Sequence, residues 1–479
     1  MPLLQRTVPQ TFDVDKILRD LPRGERWLRH LREDLLPFWE MPEALGQPLG
    51  NFPTYRNNDG SLVEPQHPGP DFTNVIPGIV WLDRDHVRAK SRQCFAYGIA
   101  YHLTGEPRYL EYARGGVSFL REHALDREHG GAYTYFKGAA KLPAVGQRTS
   151  QDLAYALTGI GFLYYLTRDA DLLKDLVNLH DYIWDTYYDP QAGLLRWVLE
   201  PSGDGDSPNQ KELVAQLDQI YGYMLAVTPA LPDVQQRVWR KRLSKLCHIL
   251  MDQFYTPRTD MFWGAITSSQ IKCWGTPHTD FGHSVKTFWL LSVIGSLNDD
   301  YEMFISAEAR AAQVLEWAYI ERTGSWARAF AADGKLDENK EWWIYCELDQ
   351  VAGALALVDP AYARYLVRTS DYWFKYMVDH KHHEIWHMVS AETNQPVAGY
   401  PKQHSWKSCL HSFEHALVSY IFAQQLHGDP VTLHFAWSDT PAHEKIYPYF
   451  YQGRVTSISE SQESASGSKY QAVVFQDVH

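Results

Sequence analysis

Segments with helical period come in pairs along this chain, and their connections alternate between short and long. Residues 84–103 and 107–124 form one pair, separated by Thr104-Gly105-Glu106. Further pairs are 150–166 with 170–187, 211–227 with 233–254, 281–297 with 301–319, and 339–358 with 361–379. A helix over 13–39, interrupted at 22–24, opens the chain, and one over 405–426 closes the series. Within a pair the turn is a few residues, such as Asp359-Pro360. Between pairs it is long and rich in glycine, aromatics and charge, as at 126–148, 189–210, 256–280, 323–338 and 380–404. Helical hairpins repeated about six times close into a double ring, with one helix of each pair inside. The long connections then gather at one mouth, where a site can be built on a rigid frame. An open solenoid would need a repeat of fixed length and signature, and these pairs share neither. The expected fold is all-α: an (α/α)6 barrel of about 12 helices over residues 1–427. A β-rich extension over 428–479 follows, in which 431–437, 447–455 and 470–478 alternate like strands. The Ser/Glu-rich stretch 456–469 reads as a flexible linker.

Composition narrows the partners. The chain has 479 residues, of which 45% are hydrophobic, and a formal net charge of −13. No basic stripe is visible, which argues against nucleic acid and against docking on anionic lipid. The first 20 residues lack an apolar signal core, and no run long enough to cross a bilayer occurs. The expectation is a soluble, cytoplasmic protein. Five cysteines stand far apart without a CxxC pair, so neither a disulfide framework nor a zinc knuckle is indicated. Aromatic residues make up 14%, which suits both a large core and a cleft for carbohydrate.

Four segments carry candidate chemistry. Arg92 opens an otherwise apolar helix. His283 follows Gly282 at the start of another, within Thr279-Asp-Phe-Gly-His283. Two adjacent tryptophans, Trp342 and Trp343, precede Glu347 in a third. Trp406, His411 and Glu414 begin a fourth. A lone histidine is more often structural than catalytic. Two at the same end of two inner helices make a pair worth testing, because unperturbed imidazole titrates near neutral pH.

At these segments the chain resembles the N-acylglucosamine 2-epimerase superfamily, which includes cellobiose 2-epimerases and aldose–ketose isomerases. Arg92 with Ala100-Tyr101, Asp126 with Gly130-Gly131, Gly282-His283 with Trp289-Leu-Leu291, Lys340-x-Trp-Trp-x3-Glu347, and Trp406-Lys407-x3-His411 fall in the family's order. The resemblance spans roughly residues 20–425. It implies a free aldose as substrate, opened to its aldehyde. A base removes the C2 proton to give an enediolate. Return of a proton to the other face of C2 gives the epimer, and return to C1 gives the ketose. His283 and His411 would be the acid–base pair, and Arg92, Trp343, Glu347 and Trp406 would contact the sugar. Neither a metal nor an organic cofactor is required. The expected partner is a small-molecule sugar, and the expected assembly a homodimer.

Three positions depart from the family. Lys286 stands three residues after His283, where many members have a glutamate. Glu414 stands three after His411, where many have an arginine. The stretch Lys211-Glu-Leu-Val-Ala215 lacks an Asn-x3-His pattern found in the epimerases. Residues three apart share a helix face, so Lys286 is expected beside His283, favouring its neutral form. Glu414 is expected beside His411, favouring imidazolium; the alternative pairs Lys286 with Glu414. The rival functions are a glycoside hydrolase or lyase on the same barrel, using carboxylates among Asp152, Asp218, Glu347 and Asp349, or a non-catalytic sugar binder. The cluster His380, His382, His383 and His387 is read as a solvated surface group rather than a metal site.

Overall fold

The computed structural model describes residues 12–74, 80–266, 274–463 and 469–479. Six inner helices are Val87–Thr104, Ser150–Thr167, residues 213–227, Phe281–Leu297, Trp342–Val358 and Leu410–Leu426. Outer helices follow or precede each: residues 24–39, 107–124, Ala170–Tyr187, 233–254, Tyr301–Ala318 and 363–377. The first inner helix packs on the second and on the last, which closes the ring. Lys286 of the fourth reaches over the ring of Tyr221 on the third, 3.1 Å from its centroid. This is an (α/α)6 barrel.

The two rings differ in sequence character for one reason. Every residue from Val87 to Leu103 is buried, because an inner helix meets neighbours on all sides; the cations of its mouth-side turns, Arg88, Lys90 and Arg92, are buried with Asp152, Asp85 and the Trp406 carbonyl as partners. Outer helices bury one stripe; in Ala170–Tyr187 it is Leu172, Leu176, Leu179, Ile183 and Tyr187. Each such side chain contributes about 1.5–3 kcal/mol relative to exposure.

Inner helices run from the mouth to the base, so their first turns face the long connections. Short turns at the base lead outward. Gly105 ends the first inner helix at φ +70°, and a Cβ there would lie 2.5 Å from the ring of His434. Glycine therefore satisfies both the left-handed backbone and the close approach of the C-terminal extension.

That extension is a three-stranded antiparallel sheet, with Val431–Trp437 and Arg454–Glu463 on either side of Lys469–Gln476. It lies against the base: Tyr101 Oη donates to the Phe435 carbonyl at 2.7 Å. Two expectations are corrected here. Residues 456–463, read as part of a linker, belong to the strand Arg454–Glu463, paired through most of its length with Lys469–Gln476; 464–468 lie outside the described residues. Residues 447–452 are not a strand. Pro448 offers no N–H, and Tyr449 has φ +64°, so the ladder cannot run through them. The aromatic run Tyr447-Pro-Tyr-Phe-Tyr451 passes beneath the inner ring instead and is largely buried there.

Candidate active site

His283 sits in the first turn of the fourth inner helix. Asp280 caps that helix, accepting from the His283 backbone N–H at 2.8 Å. Its other oxygen lies 2.7 Å from His283 Nδ1. One aspartate thus starts the helix and orients the ring. Burial alone would raise the Asp280 carboxyl, but the charge and hydrogen bonds of His283 hold it below its ordinary value. Gly282 has a specific use: a Cβ there would lie 2.8 Å from the Trp343 ring. Without one, Trp343 packs edge-on to His283 with centroids 4.6 Å apart.

His411 lies in the first turn of the last inner helix, its centroid 5.9 Å from Trp343. Trp343 therefore stands between the two histidines and is half-buried, whereas Trp342 is core. His411 Nδ1 is 3.3 Å from Glu347 Oε1. The same oxygen takes the Lys286 ammonium at 2.8 Å. Burial pushes His411 down to about 4; Glu347 opposes this, while Lys286 and Arg92 add to it. At neutral pH His411 is then neutral. With Nδ1–H toward Glu347, its Nε2 carries a free lone pair. Neither Nε2, of His283 or of His411, has a protein hydrogen-bond partner among the described residues.

The expected neighbours are rearranged. Lys286 points away from His283 to Glu347 on the next inner helix, because its long stem runs down the barrel interior. It pairs with Glu347, not with Glu414. Glu414 is held by the hydroxyls of Tyr221 and Tyr449. Burial, then the nearby Glu347, raise its carboxyl to about 7 against the pull of Lys286 and the two phenols. Burial would raise Glu347 as well, but Lys286 and His411 keep it below its usual range. The expected pairing of Glu414 with His411 is therefore not found: Tyr221 and Tyr449 take the Glu414 carboxylate, and burial is the largest influence on His411.

Glu347, His411 and Glu414 present ligand atoms within 4.8 Å of one another. The positive charge among them is already the Lys286 ammonium, and both Glu414 oxygens accept phenolic hydrogens. The trio does not fit a metal ion.

Arg92 and Trp406 meet at the mouth. Arg92 Nη1 donates to the Trp406 carbonyl at 2.7 Å, and its guanidinium lies 3.9 Å from the Tyr155 ring centroid. Arg88, buried and paired with Asp152, covers one face of the half-buried Trp406 at 3.7 Å. Trp406 lies in a loop before its helix, not within it. His404 shapes that loop, with Nδ1 facing the backbone N–H groups of Trp406 and Lys407. Its Nε2 lies 3.0 Å from His387 Nδ1. His387 is consequently buried, unlike the surface group it was expected to join.

Four residues escaped the sequence reading: Asp280, Tyr221, Tyr449 and His278. His278, at φ +57°, stands 3.4 Å from Glu212 and 5.1 Å, centroid to centroid, from His283. Burial disfavours its charge, yet Glu212 outweighs this and raises it. A third imidazole thus reaches the site from a loop, while Ala215 stays buried in its helix. Asp280→Asn tests the orienting carboxylate. Asparagine still caps a helix, so stability should change by less than about 1 kcal/mol, while turnover should fall by about 10²-fold. Circular dichroism melts and steady-state rates measure both.

No family model matches the chain. It is similar to a cellobiose 2-epimerase of Eubacterium cellulosolvens, with 22% identity over 356 residues, 70% of this chain and 81% of that protein. Its fold is similar to the structure of cellobiose 2-epimerase from Spirochaeta thermophila DSM 6192, at 18% identity and a TM-score of 0.68, covering 86% of this chain and 99% of that one. It is also similar to the crystal structure of a D-mannose isomerase, at 16% identity and a TM-score of 0.65, covering 86% and 99%.

Proposed function

We propose that this chain, a member of the N-acylglucosamine 2-epimerase superfamily, interconverts free aldoses at C1 and C2 through an enediolate. The observation that carries the reading is the pair His283 and His411. Each ring has Nδ1 against a carboxylate and, among the described residues, no hydrogen-bond partner at Nε2, and both flank the half-buried Trp343. Two such nitrogens can take a proton from one face of a carbon and return one to the other. Cellobiose 2-epimerase and mannose isomerase relatives support a sugar substrate and this reaction class.

In this account His411 is the base, because burial and Lys286 keep it neutral. His283, its Nδ1 held at 2.7 Å by the Asp280 carboxylate, is the donor. This inverts the polarity expected from sequence neighbours. The hydrolase reading finds little support in its carboxylates. Asp349 is buried and bonded to Trp326, Thr369 and His415, Asp152 is paired with Arg88, and Glu347 with Lys286.

The test compares mannose, glucose and cellobiose with their methyl glycosides by proton NMR. Conversion of at least one free sugar, with every glycoside untouched, is expected, because a blocked anomeric centre cannot open. Turnover of a glycoside would make the chain a hydrolase. Binding follows the same logic. Trp406→Ala should raise KM by about tenfold, the loss of one stacking contact. Unchanged KM and kcat would make Trp406 a packing residue.

A further inference from the structure

We infer that Tyr449, carried by the C-terminal extension, is a positioning residue of the site: its hydrogen bond to Glu414 favours the ionised carboxylate and thereby biases the tautomer of His411. The inference rests on the reading of His411 as the proton-transferring group.

Tyr449 comes from outside the ring of helices. The run 447–451 crosses the base, where Tyr165 clamps it: its hydroxyl donates to the Tyr447 carbonyl at 2.6 Å and receives the Tyr449 N–H at 2.9 Å. Tyr449 adopts φ +64°, a conformation a bulky residue rarely takes unless its surroundings enforce it. The result is a side chain that rises into the barrel, stacked on Phe450 at 3.8 Å, with its hydroxyl on Glu414 Oε1. Glu414 is fully buried. Every inner element near it contributes a charged or titratable group: Tyr221 from the third inner helix, Lys286 from the fourth, Glu347 and Cys346 from the fifth, His411 from its own, and Tyr449 and Tyr451 from the extension.

Burial and Glu347 both favour a protonated Glu414, and donors to its charged form oppose them. While Glu414 is ionised, Tyr221 donates to it. His411 Nδ1, 3.5 Å from the Tyr221 hydroxyl, then keeps its own proton toward Glu347, and Nε2 stays free to accept. Once protonated, Glu414 donates to the Tyr221 oxygen, and Tyr221 turns its proton to His411 Nδ1. The ring shifts to the tautomer protonated at Nε2 and is no longer a base. Activity should therefore decline on the acid side as Glu414 takes up its proton.

Tyr449→Phe removes the donor and keeps the stacked ring. Glu414 is titrated directly by carbon-13 NMR of chain labelled at the glutamate carboxyls, its signal being the one missing in Glu414→Gln. The variant should raise the Glu414 midpoint by about one pH unit or more, and the acid limb of kcat/KM should move up equally. In a Glu414→Gln background, Tyr449→Phe should not displace the pH profile. An unmoved Glu414 midpoint, an equal displacement in both backgrounds, or collapse of the fold in Tyr449→Phe would each overturn the inference. The NMR titration needs no turnover, so failure to convert any sugar counts against the proposed reaction and leaves this result legible.

Discussion

His283→Ala and His411→Ala should each lower kcat by about 10²-fold or more, the scale of a positioned acid or base, with melting temperatures near that of the parent. Both rings stand in the first turns of their helices, at the mouth; His283 is partly exposed and His411 buried, its ring packed beside the half-buried Trp343. The asparagine variants separate the roles. His283→Asn should still exchange the C2 proton of its substrate with solvent while failing to form product, because His411 remains to remove it. His411→Asn should lose both. Exchange surviving only in His411→Asn would reverse the assignment, and full activity in either variant would remove the mechanism.

Lys286→Met should be the most destabilising single change at the site, by about 3–5 kcal/mol, the cost of leaving a buried charge without its partner. Glu347 would then lie buried beside Glu414, with the neutral His411 ring as a hydrogen-bond partner and no cation against it. The sign with pH follows. Without the ammonium the folded-state carboxyl midpoint rises above the unfolded value. The penalty is therefore absent below the unfolded midpoint and grows until the pH passes the folded one. Urea denaturation should show the deficit at pH 8 and recover part of it near pH 5. Glu347→Gln added to Lys286→Met should recover stability at pH 8 as well. A deficit that does not vary with pH would mean Lys286 acts by packing alone.

The ring was legible in the sequence because closure buries inner helices on every side, which writes continuous apolar runs such as Phe288 to Leu291. Short Gly and Pro turns marked the base, and long connections marked the mouth. The end of the series was misread: 405–409 is a loop shaped by His404, and helical period does not distinguish a loop that pairs with a distant histidine. Helix spacing places Lys286 on a face but does not say which neighbouring helix its amine will reach. Asp280 was readable in principle, since an aspartate three residues before His283 at the start of an apolar run is a capping signal. Tyr449 was not: it contacts a residue 35 positions earlier, from a stretch that alternates like a strand.

The central claim is proton transfer at C2, and the most direct measurement is proton NMR of a free aldose incubated with the protein in D2O. The account predicts loss of the C2 proton signal, with deuterium at C2 of an epimer or, after isomerisation, at C1 of a ketose. Product that forms with its original protons in place, or a free sugar recovered unlabelled after product has formed from a glycoside, would contradict it.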